Sequence, residues 1–145
     1  MATLWQQVSE ALEAALRQIE TSAGYRTDIG QRLRPWQYKA PTWDELPVME
    51  VRAGRVEPGR PAYGLQELRI GADVLIYLPG GTEMQTLRDH AADVMQALGA
   101  DPTLGGLVDQ VRVAEIEVDP GEPERVSDGL RLAVEATVET DPWTL

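Results

Sequence analysis

Between Leu68 and Leu78 apolar residues alternate with other residues almost without a break, and directly after Pro79-Gly80-Gly81 the apolar spacing changes from two to three and four. Leu68, Ile70, Ala72, Val74, Ile76 and Leu78 share one face of an extended chain, because successive side chains of a strand point to opposite sides. Glu67, Arg69, Gly71 and Asp73 form the other face, which Leu75 and Tyr77 interrupt near its end. That interruption predicts a second cover there, from a neighbouring element or subunit. Past the glycines, Met84, Leu87, Ala91, Val94, Met95 and Leu98 fall on one helical face, with Thr82 and Gln85 at capping-box spacing and Gly99 as the closing residue. A strand and a helix that each hide one face require a layered fold.

The remaining segments supply the other parts of those layers. Leu4, Val8, Leu12, Ala15, Leu16 and Ile19 make one face of a first helix, opened by Thr3 with Gln6 three residues on and closed by Gly24. A strand is expected within Thr27 to Trp36, followed by a proline-rich excursion, and another strand over Val48 to Val56. Glu57-Pro58-Gly59-Arg60-Pro61 reads as an exposed loop. Asp101-Pro102 opens a single turn that Gly105-Gly106 ends. Val111 to Val118 and Leu130 to Val138 then form an antiparallel hairpin around the polar loop Asp119 to Asp128, with Leu130, Leu132, Val134, Ala136 and Val138 inward. The order is helix, about three strands, helix, two strands. It predicts an α+β fold, two helices packed on a mostly antiparallel four- to five-stranded sheet, in a single compact domain over residues 1–145.

Composition narrows the chemistry. A formal charge of −11 and a pI near 4.4 oppose tight binding to phosphate backbones or anionic membranes. The absence of cysteine removes disulfides, thiolate metal sites and a cysteine nucleophile. The start MATLWQQVSE has no basic segment followed by an apolar run, and no stretch approaches the length of a membrane span, so a soluble protein is expected. His90 is the only histidine and reads as a helix-surface residue, and no metal-ligand spacing accompanies it. Gly80-Gly81 and Gly105-Gly106 lack the lysine of a phosphate loop, and Ser9, Ser22 and Ser127 lie in no nucleophile elbow. No cofactor and no enzymatic activity are expected. Glu115, Glu117 and Asp119 fall on one strand face, an acidic strip that either lines a solvated lumen or serves a small carboxylate-dependent hydrolase. Trp36 and Trp43 stand outside any periodic pattern, where indoles serve as interface anchors as readily as core residues.

In this order and at this length the pieces resemble the tail terminator, or tail completion, proteins of long-tailed bacteriophages and phage-like particles. The resemblance runs over the whole chain. It rests on the N-terminal helix leading into Ala23-Gly24-Tyr25-Arg26-Thr27-Asp28-Ile29-Gly30, the long central strand, one helix, the turn Asp101 to Val108 and a last strand ending in Asp141-Pro142-Trp143. It implies a structural protein of the virion, at the head-proximal end of the tail and assembled in the host cytoplasm. There it forms a ring, usually of six copies, that ends tube polymerisation. Its implied partners are the tail tube protein, a head–tail connector or neck protein, and DNA that passes without sequence-specific contact. Another connector component, of neck or stopper type, shares the size and ring-forming habit. Six copies at −11 each carry −66, so an anionic lumen would let DNA slide without adhering. Trp36, Trp43, Pro58, Arg60, Tyr63, Leu75 and Tyr77 are the candidates for contact with a neighbouring subunit or the tube, and Glu115, Glu117 and Asp119 for the lumen.

Overall fold

The computed structural model describes residues 2–37, 39–59, 63–119 and 127–145, with the side chain of Asp119 outside the description. Its elements are α1 (Leu4–Leu16), β1 (Leu33–Pro35), β2 (Val48–Pro58), β3 (Gln66–Pro79), α2 (Met84–Ala100), β4 (Gln110–Asp119) and β5 (Ser127–Thr140). The five strands make one sheet in the order β1-β2-β3-β5-β4, antiparallel except where β1 joins β2. The α+β architecture expected from the sequence is the one observed.

Both helices lie on the same side of the sheet. Val8, Leu12 and Leu16 of α1 and Leu87, Ala91, Val94, Ala97 and Leu98 of α2 are buried against Leu68 to Leu78 and Leu130 to Val138, the alternating residues of β3 and β5. β3 and β5 pair without a break from Gln66↔Thr140 to Pro79↔Ser127, which keeps each alternating set on one face over the whole length. Among the described residues the other face of the sheet carries no α-helix.

Several boundaries differ from the sequence-based expectation. α1 ends at Leu16, and Ile19 reaches the core from the following turn, while Gly24 at φ 91° closes a separate 3-10 turn over Thr21–Ala23. Thr3 accepts from the Gln6 N–H at 3.1 Å, but the Gln6 side chain turns to Glu10, so only half of a capping box forms. The strand expected within Thr27 to Trp36 shrinks to three residues, preceded by a 3-10 turn over Ile29–Arg32. Its backbone donors are taken elsewhere: Asp93 of α2, fully buried, accepts the N–H groups of Arg26 and Thr27 and the Thr27 hydroxyl at 2.7–3.0 Å, and the Gly30 and Gln31 N–H groups donate to the Ile19 and Asp28 carbonyls.

At the other end of β2 the expected loop is strand as far as Pro58. Gly59 donates its N–H to the Glu67 carbonyl, so the proline nitrogen next to it points away from β3, to the side where β1 does not extend. In α2 Thr82 is not the cap, because its hydroxyl turns back to the Pro79 carbonyl; the helix starts after Glu83 and runs through Gly99 to Ala100. Its buried face is rotated from the expected one: Met84 and Met95 are exposed and His90 is buried, with Nδ1 2.7 Å from the Thr86 carbonyl. The segment after α2 is a set of tight turns in which Leu104, Gly105 and Gly106 all take left-handed backbone angles, and it returns Leu104 and Val108 to the core.

Candidate functional site on the helix-free face

Strand register places side chains on the open face in rows that cross the sheet. One row is Arg34, Glu50, Leu75, Arg131 and Glu117, one residue from each strand in sheet order. The next is Arg52, Asp73, Ala133 and Glu115, and beyond the first on its other side lie Val48, Tyr77 and Gly129. Leu75 and Tyr77 are half-buried and, with Gly129, Arg131 and Glu117, line a shallow depression of about 120 Å³.

At the β1 side the face is covered by the proline-rich segment. Arg32 holds it by donating to the Pro47 carbonyl at 2.8 Å and the Glu45 carbonyl at 3.1 Å. Arg34 bonds the buried Glu50 carboxylate at 2.7 Å and also the Glu45 carboxylate. Glu45 in turn accepts from the Thr42 hydroxyl and backbone N–H, and these bonds together with Arg34 hold its carboxyl at about 2. Burial alone would lower the Arg34 pKa, but Glu50 and Glu45 outweigh it and raise it. Burial, and then the Glu50 charge, raise the Tyr77 phenol.

At the β4 side the acidic strip is not left to itself. Arg131 sets one guanidinium nitrogen 3.4 Å from Glu115 and 3.1 Å from Glu117, and another 3.2 Å from Asp73. Glu117 and Asp73 thereby raise the Arg131 pKa. Glu115 and Glu117 remain well exposed on an edge strand, and the backbone of Asp119 pairs with Gly129. Among the described residues no group of three or more histidine or acidic side chains is arranged to hold a metal ion, and no helix is long and apolar enough to cross a membrane.

The structure thus brings Leu75, Tyr77, Glu115 and Glu117 to one face and adds Trp36, which lies 5.2 Å below the Arg52 guanidinium. Trp43 is exposed on the covering segment. Pro58 and Tyr63 belong elsewhere: they sit at the far end of the β2–β3 hairpin, nine residues of β3 or about 30 Å from Tyr77. Arg60 lies outside the described residues. Sequence reasoning missed Arg34, Glu50 and Arg131. Glu50 and Arg131 carried a signal, each a charged residue one step out of phase inside an alternating apolar strand, where only a paired charge is tolerated.

No family model matches the chain, and no curated protein matches it.

Proposed function

We propose that this chain is a tail terminator: a structural protein that closes the head-proximal end of a phage tail tube as a ring of six, ends tube growth and offers a surface to the head–tail connector while DNA passes through. The observation that carries this reading is the sheet face without helices. A five-stranded sheet with its whole helical layer on one side presents Leu75 and Tyr77 on the other, half-exposed among charged rows. A partly apolar face rimmed by charge suits another protein layer better than solvent. The charge of −11 supports the passage of DNA without adhesion.

The test is the solution mass across a concentration series, with and without tail tube protein, followed by negative-stain imaging. Six times 16.0 kDa, in rings that cap tube ends, is the expected result. Rings that ignore the tube and bind only a connector would shift the reading to a neck component, and a monomer indifferent to tube protein would overturn it.

A further inference from the structure

A ring needs two different surfaces on each copy that fit each other, since its contacts are head-to-tail. The helix-free face holds such a pair, and this step rests on the ring reading above. In β2 the residues from Arg52 to Arg55 span the same length as Asp73 to Gly71 in β3, so β2 carries one extra residue, a β-bulge. Residues three apart in a regular strand point to opposite faces; the bulge sets Arg52 and Arg55 on the same one. Its Ala53 carbonyl is taken by the Trp5 indole N–H of α1 at 2.8 Å, which pins the irregularity to the helical layer.

The two arginines flank a cleft of about 240 Å³ floored by Gly54 and Gly71. A Cβ on Gly71 would stand 2.8 Å from the Arg55 guanidinium, so the glycine is what lets that group lie flat on the sheet. Among the described residues neither guanidinium comes closer than 3.9 Å to a carboxylate, Arg52 to Asp73 and Arg55 at 4.0 Å to Glu57. The cleft is lined by two arginines and one aspartate, with Glu57 beside Arg55, and both guanidiniums meet these carboxylates only at 3.9–4.0 Å. At the sheet edge, Glu115 and Glu117 share one nitrogen of Arg131 and keep 59% and 61% of their side chains exposed. They are two residues apart on β4, and Arg52 and Arg55 stand opposite residues two apart on β3, so both pairs repeat at about 6.6 Å.

We infer that the Arg52–Arg55 cleft of one copy receives Glu115 and Glu117 from the β4 edge of the next copy. The matching spacing lets each carboxylate meet its own guanidinium, and the fork geometry of arginine suits that pairing. Two of the three acidic strip residues then belong to the subunit contact and not to the lumen.

Charge exchange tests this, read by light scattering with and without tail tube protein. Arg52→Glu/Arg55→Glu and, separately, Glu115→Arg/Glu117→Arg should each raise the concentration needed for assembly by at least about tenfold, since like charges then face each other. The chain with all four substitutions should assemble again. Thermal melting of each variant, and the milder Arg52→Gln/Arg55→Gln and Glu115→Gln/Glu117→Gln, separate lost contact from lost fold. If the reversed pairs assemble like the parent, or the fourfold variant stays dissociated while folded, the pairing is wrong and the ring reading stands. Retention of DNA lost on reversing the arginines, with assembly unchanged, would assign the cleft to phosphate and overturn the pairing. A parent chain that never assembles removes both readings.

Discussion

At the scale of single residues, the open face is held by charged groups whose neighbours explain their state, and Glu45 makes the clearest case. Its carboxyl sits at about 2 against an ordinary 4.5, first through the Thr42 hydroxyl and backbone N–H and then through Arg34. A carboxyl whose pKa is depressed in the folded state contributes stability that is fully present above its unfolded value and is lost as the pH falls toward its folded value. The Glu45 contribution should therefore fade between 4.5 and about 2. Urea unfolding across that range should show the wild type losing stability more steeply than Glu45→Gln. Parallel slopes for the two proteins would show that Thr42 and Arg34 do not hold the carboxyl in solution.

At the scale of elements, a contact that glycine alone permits fixes how α1 joins the sheet. A Cβ on Gly30 would stand 2.6–2.8 Å from the carbonyl oxygens of Leu16, Arg17 and Ile19, backbone atoms at the end of α1 and in the turn after it, and the Gly30 N–H donates to the Ile19 carbonyl at 3.0 Å. Gly30→Ala must push the helix end from the 3-10 turn before β1 and should cost about 2 kcal/mol or more in denaturant unfolding. Gly71→Ala meets only the flexible end of Arg55 and should cost far less, which makes the pair of variants its own control. This contact also shows where sequence reading stops. The strands β3 and β5 and the existence of both helices were legible because period two and period 3.6 are local properties of the chain. The 3-10 turn over Ile29–Arg32 was not, because it depends on Asp93, more than sixty residues away, capturing the Arg26 and Thr27 N–H groups. The site divides the same way: Leu75, Tyr77, Glu115 and Glu117 showed themselves by alternation, whereas the cleft between Arg52 and Arg55 depends on a bulge that no periodic pattern encodes.

For the whole molecule, the candidate contacts fall into two regions. Trp43, 65% exposed, rides on the segment that Arg32 and Arg34 fasten beside β1, whose partners in β2 are Met49 to Val51. Tyr63, fully exposed at φ 54°, precedes β3 at the opposite end of the sheet, where Pro58 faces Leu68. Val51 and Pro58 stand opposite Val74 and Leu68, six residues of β3 or about 20 Å apart, so no side chain spans the two regions. Neither aromatic is held by the core, and removing either should leave the unfolding free energy within about 0.5 kcal/mol of the parent. If both regions touch neighbouring subunits or the tube, Trp43→Ala and Tyr63→Ala should each weaken assembly, and their free-energy effects should add in the double variant, because sites this far apart share no partners within one copy. A double variant no worse than one of the singles would mean that only one end of the sheet makes the contact. Normal assembly of Trp43→Ala would remove the covering segment from the interface and leave the open face of β2, β3 and β5 to carry it.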